Sequence, residues 1–157
     1  MRIQTTSARC AAESGTVHRP LSILIPFTGH ELARAALKEA VALAGDLGAI
    51  VTIAAVHVVP YQLPLNRPDV DKGYLTRGLE SLAESCEFPA HVLLVLARDR
   101  QSAFRKLASP RSLVVIATRK RWWRTAEEAL ARALRCDGCR VALLTLDGRG
   151  STEHSRV

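Results

Sequence analysis

At 157 residues the chain has room for one domain, and 48% hydrophobic side chains exclude a disordered polymer. Aromatic residues are only 4%, so Leu, Val, Ile and Ala must fill the core, and a formal charge of +7 directs attention to anionic partners: nucleotides, nucleic acid, acidic proteins or membrane surfaces. No apolar run approaches the ~18–20 residues of a membrane span, and the first twenty residues lack the apolar region of a signal peptide, so a cytoplasmic location is expected, with Cys10, Cys86, Cys136 and Cys139 reduced.

Residues 1–20 are mixed and aperiodic, and read as a flexible tail ending at Pro20. The first apolar run is Leu21–Pro26 (LSILIP). A helical pattern follows over Glu31–Leu47, with Leu32, Ala36, Val41 and Leu43–Ala44 near a 3.6-residue period and Gly48 as its stop. Ile50–Val59 (IVTIAAVHVV) is the second strand, and Pro60–Pro68 a loop stiffened by three prolines. The second helix spans Val70–Glu87, with Leu75, Leu79, Leu82 and Ala83 on one face and Gly73 and Gly78 weakening it. His91–Leu96 is the third strand. Asp99 caps a short helix over Arg100–Ala108, which Pro110 ends. Leu113–Ala117 is the fourth strand. Thr125-Ala126-Glu127-Glu128 has the form of a capping box, opening a helix to about Arg135. Asp137-Gly138 turns into the last strand, Val141–Leu146, and residues 147–157 form a second flexible tail. The folded domain is thus 21–146.

Strand–helix alternation of this kind demands a doubly wound, Rossmann-like α/β domain: five parallel strands, right-handed crossovers, helices on both faces. Ligands of such sheets sit beyond the strand C-termini, where the strand order reverses.

The stretch ILIPFTGHELARAALKEAVALAGDLGA (an apolar strand, Pro, a short loop, Gly, then an Ala/Leu-rich helix) resembles the opening of the universal stress proteins. His57-Val58-Val59 resembles their second strand ending, ARDRQSAFRKLA the entry to their third helix, and CRVALL their closing strand. The resemblance spans about residues 21–146. It implies a sheet of order 3-2-1-4-5, a switch point between the first and fourth strands, and a homodimer through the last strand. ATP-binding members carry an Asp before the Gly of the first loop; here that position is Thr28. They also carry a glycine loop after the fourth strand, whose backbone N–H groups close on phosphates. Here that loop is Thr118–Thr125, shorter and without glycine. A divergent member without family-style ATP binding is therefore expected, and no cofactor; ATP and AMP are the candidates the family would suggest.

The ligand-binding residues expected at the switch point are Pro26, Phe27, Thr28 and Gly29 from one loop and Thr118, Arg119, Lys120, Arg121, Arg124 and Thr125 from the other. Arg forks recognise phosphates, and the faces of Trp122 and Trp123 stack on bases or on arginine. One reading is a replacement anion site built of side chains; the other is a loop whose Trp rings cover the sheet end while its cations face water. Glu127 and Glu128 complement the helix dipole, and the capping box occupies N–H groups a phosphate would need.

Cys136-Asp137-Gly138-Cys139 stands at a helix C-terminus, the wrong end to acidify a thiol, and no second ligand pair lies nearby for zinc. His18, His30, His57, His91 and His154 show no metal spacing; His30 is either a ligand contact or a plain helix-start residue. The sequence has no nucleophile elbow, no Walker loop and no paired carboxylates at helical spacing facing the switch point. Three functions stay open: a non-catalytic stress-response or regulatory module with a degenerate nucleotide site, acting by dimerisation or partner binding; a nucleotide- or anion-binding switch using the Arg/Trp loop; and a nucleic-acid-binding protein.

Overall fold

Apolar runs with no polar side need cover on both faces, and each here becomes a strand of one sheet. The protein's structure, a computed structural model, describes residues 2–6, 21–65, 72–84, 89–123, 125–146 and 152–154. In chain order the elements are β1 (Arg2–Thr6), β2 (Ser22–Pro26), α1 (His30–Leu47), β3 (Ile50–Val58), α2 (Lys72–Glu84), β4 (Ala90–Ala97), α3 (Arg100–Leu107), β5 (Leu113–Arg119), α4 (Ala126–Cys136), β6 (Arg140–Leu146) and β7 (Thr152–His154). The strands lie in the order β1-β4-β3-β2-β5-β6-β7. The inner five are parallel throughout, which is the 3-2-1-4-5 order expected of the five predicted strands.

The sequence reading put 1–20 mostly outside the sheet and took 147–157 as a tail; the structure adds one short edge strand from each, β1 and β7. Arg2–Thr6 runs antiparallel to β4, with Arg2 opposite Leu96 and Thr6 opposite Val92. Thr152–His154 runs antiparallel to the last three residues of β6, with Thr152 opposite Leu146. The cause lies at the sheet edges. An edge strand presents a row of N–H and C=O groups, and any extended segment within reach satisfies them. Such pairing needs no apolar face, so hydrophobic periodicity does not announce it. The remainder of both predicted tails lies outside the described residues, as do positions 70, 71 and 85–87 of the predicted second helix.

Strand pleating divides the core in two. Ile23 and Ile25 of β2 face one layer, where they meet Val51 and Ile53 of β3 and the alanine face of α1 (Ala33, Ala36, Ala40, Ala44). Small side chains there let α1 lie close on the sheet. Leu79 and Leu82 of α2 complete that layer. Leu24 faces the other, with Val114 and Ile116 of β5, Phe104 of α3 and Leu130 and Leu134 of α4. Phe104 is fully buried, and one such side chain contributes about 1.5–3 kcal/mol by burial alone.

Local signals set the helix ends. Gly48 closes α1 in the left-handed region at φ 58°, its N–H donating to the Ala44 carbonyl. Asp99 caps α3 by accepting from the Ser102 N–H at 2.6 Å. Thr125 and Glu128 form the predicted capping box of α4. No described helix is long and apolar enough to cross a membrane.

Candidate functional site

Parallel strands deliver their C-terminal ends to one side of the molecule, and at the β2/β5 boundary the loops that follow diverge to opposite faces. The β2–α1 turn is short and tied down. Pro26 ends the strand buried, the Phe27 N–H donates to the Ala54 carbonyl at 2.8 Å, and the Phe27 carbonyl accepts from Arg100 at 2.8 Å. Gly29 is extended, and its carbonyl receives the first helical bond, from the Ala33 N–H. A Cβ at Gly29 would meet no other atom within 4 Å, so the backbone borders open space there.

The loop after β5 is closed at its base. Thr118 is fully buried, and its hydroxyl shares a 2.8 Å hydrogen bond with that of Thr125. The Thr125 hydroxyl also accepts from the Glu128 N–H at 3.2 Å. The helix start is thereby occupied by its own side chains rather than open to an anion. Between the two threonines the chain projects. Arg119 forms an exposed ion pair with Glu31 of α1. The Lys120 N–H donates to the Leu146 carbonyl at 3.1 Å. Arg121 lies over the Trp123 ring at 5.8 Å, and Trp122 meets Trp123 edge to face at 5.1 Å.

Three cavities open here, the smallest, of about 240 Å³, bordered by Thr28, Asp99, Arg100 and Glu127. A polar cleft of about 550 Å³ lies between the two loops, bordered by Gly29, Glu31, Arg119, Arg121, Trp123 and Glu127. Its two arginines are offset by two carboxylates. An apolar cavity of about 620 Å³ lies beneath α2, bordered by Phe27, His57, Tyr74, Arg77, Leu79 and Leu94. His30 borders the polar cleft and the apolar cavity. Its ring meets Phe27 edge to face at 5.2 Å, and a Cβ at Gly78 would stand 3.9 Å from its Cε1. The glycine that weakens α2 is thus where the imidazole packs against that helix.

Arg98 ties down the loop after β3. It donates to the carbonyls of Val59 (3.0 Å), Pro60 and Leu63 (2.7 Å), and stacks over Tyr61 at 5.2 Å. The loop after β3 is thus held by a guanidinium as well as by its prolines; Pro68 lies outside the described residues.

Of the expected site residues, Thr28, Gly29, Arg119, Arg121 and Thr125 border the polar cleft, and Phe27 borders the apolar cavity. Pro26 and Thr118 are buried and structural in their contacts. Lys120 is exposed and borders none of the three cavities. Arg124 lies outside the described residues. Sequence reasoning missed Glu31, Tyr74, Arg77 and Arg98. For Arg98 a signal existed in its place just past a predicted strand; Glu31 had none beyond its place at a helix start.

The CxxC reading finds no support in its surroundings. Cys139 is buried, and burial, with Asp137 nearby, pushes its thiol up rather than down. Arg105 engages Asp137 through two bonds, the second at 2.6 Å. Gly138 turns the chain at φ 80°. Among the described residues no three His, Cys, Asp or Glu side chains gather to hold a metal.

No protein-family model matches the chain, and no curated protein is similar to it in sequence. Solved structures are similar in shape. A universal stress protein in complex with cAMP superposes with a TM-score of 0.54 at 13% identity, over 80% of this chain and 97% of that one. A universal stress protein family member from Burkholderia pseudomallei gives 0.48 at 21% identity, over 78% and 93%. The first of these, together with the strand order, the four crossover helices and the paired loops at the strand ends, carries the assignment: this chain has the universal stress protein fold.

Proposed function

We propose that the protein is a non-catalytic regulatory module of the universal stress protein kind, with a degenerate nucleotide site that takes a flat ring carrying little negative charge. The observation that carries this reading is the pairing of cavities at His30. One is apolar and large enough for a purine; the other sets Arg119 and Arg121 against Glu31 and Glu127. A triphosphate in the second would meet two carboxylates and a helix start already capped. A similarly folded protein has been solved with cAMP, which supports a purine ring as the first candidate. Titration calorimetry at physiological salt tests the reading, with adenosine, cAMP, AMP and ATP. Adenosine and cAMP should bind more tightly than ATP. Micromolar ATP affinity that survives Arg119→Ala with Arg121→Ala would overturn it, because only backbone N–H groups could then hold the phosphates.

A second reading, an anion-operated switch, is favoured by one contact. Glu31 occupies Arg119, so an incoming phosphate would have to displace the carboxylate and release the start of α1 from the loop after β5. Action through dimerisation and a cytoplasmic setting belong to the first reading. Along the outer edge of β6, β7 covers only Leu144–Leu146, leaving Arg140–Leu143 without a partner strand among the described residues. That open stretch is where a second copy would pair.

A further inference from the structure

The chain has two tryptophans and two tyrosines, and all four stand at the same end of the sheet, beyond the strand C-termini. Tyr61 follows β3, Tyr74 lies in the first turn of α2, and Trp122 and Trp123 follow β5. None is a core residue: they are 81%, 70%, 90% and 53% exposed. The buried ring of the described core is a phenylalanine, Phe104. Rings with a polar handle have thus been kept out of the interior and collected at one end. Cations gather with them. Arg77, Arg98, Arg100, Arg119, Lys120 and Arg121 line or flank the cavities there, against Glu31, Asp99, Glu127 and Glu128. Two of those acids, Asp99 and Glu128, are turned to capping their own helices.

We infer that this end of the molecule docks on an anionic lipid surface, with the Trp122-Trp123 tip entering the headgroup layer. Tryptophan and tyrosine favour that layer because one part of the ring is apolar and another is wet. Arginine and lysine beside them are drawn to anionic headgroups, each worth roughly fivefold in affinity close to the surface. The shape agrees. The loop is pinned at its base by the Thr118–Thr125 hydrogen bond and projects as a tip. A single-stranded nucleic acid needs something else: a groove that follows its backbone and parallel ring faces for successive bases. Here the two indoles meet edge to face at 65°, and Arg121 lies over Trp123. The inference stands apart from the ligand reading above, since it uses the rim of the site and not its interior.

Because both tryptophans sit in this loop, the emission of the unlabelled protein reports on the tip alone. The full chain is mixed with phosphatidylcholine vesicles, with vesicles containing phosphatidylserine, and with poly(U). Phosphatidylserine vesicles should shift the emission to the blue, shield it from iodide and carry the protein into the pellet. Phosphatidylcholine alone should bind at least about tenfold more weakly, as should Lys120→Glu with Arg121→Glu on the anionic vesicles. Trp122→Ser should lose most pelleting with no change in melting temperature, since the ring touches little of the fold. No binding to the anionic vesicles, or binding that Trp122→Ser leaves intact, overturns the proposal. So does quenching by poly(U) where vesicles have no effect, which would assign the tip to nucleic acid.

Discussion

Glu31 is one of the two carboxylates that offset the arginines of the polar cleft. It holds Arg119 in an exposed ion pair, and such pairs are worth about 0.2–1 kcal/mol. Glu31→Gln should therefore leave stability almost unchanged while strengthening binding of AMP or inorganic phosphate by about two- to fivefold, read by calorimetry. A second residue-scale effect lies far from the cleft. The Arg105 hydrogen bond holds the Asp137 carboxyl below its ordinary 3.8. A carboxyl more acidic in the folded than the unfolded chain stabilises the fold at pH values above 3.8, and that contribution fades as pH falls through the lower folded value. The gap in melting temperature between wild type and Asp137→Asn should then be widest above that range and should close on acidification below it. Asp99, lowered by its bond from Ser102, acts in the same direction. Residues three or four apart were legible in the sequence, because capping and turns obey local rules: Asp99, Thr125 and Gly48 all hold the roles read for them. Glu31 and Arg119 are 88 positions apart. Their meeting depends on which strands become neighbours, and no local pattern encodes it.

At the scale of elements, the loop after β5 and helix α4 are joined through a single side chain. The Thr125 hydroxyl caps Glu128 and satisfies buried Thr118. Thr125→Ala should cost more than the ~1 kcal/mol of a lost cap, because a buried hydroxyl left unpaired adds about 1–3 kcal/mol. Urea unfolding measures the sum; Thr125→Ser should recover nearly all of it. The inner strands were legible because burial on both faces leaves long apolar runs, and the strand limits read from those runs fall within two residues of the observed ones. β1 and β7 were not. Their sequences, RIQTT and TEH, carry no apolar stripe, and an edge strand is specified by its neighbour's open backbone more than by its own side chains.

At the scale of the whole molecule, the outer strands decide how much sheet edge is left for assembly. β7 covers the end of β6. Removing residues 147–157 should uncover Leu144–Leu146 and move sedimentation velocity profiles toward dimer or larger species; an unchanged monomer would count against assembly through that strand. The other edge is covered along five residues by β1. The cleft, the aromatic rim and the cations all lie at the remaining boundary, beyond the strand C-termini, so edge pairing would leave that end accessible in a dimer.

The register of β1 also bears on the order of events during synthesis. Arg2 pairs with Leu96 and Thr6 with Val92, so the segment cannot find its place until β4 has left the ribosome. At ~5–20 residues per second, that wait is on the order of 5–20 s. Through it the parallel core can begin to form around β2 and β3, while the early-made segment remains available to whatever binds nascent chains.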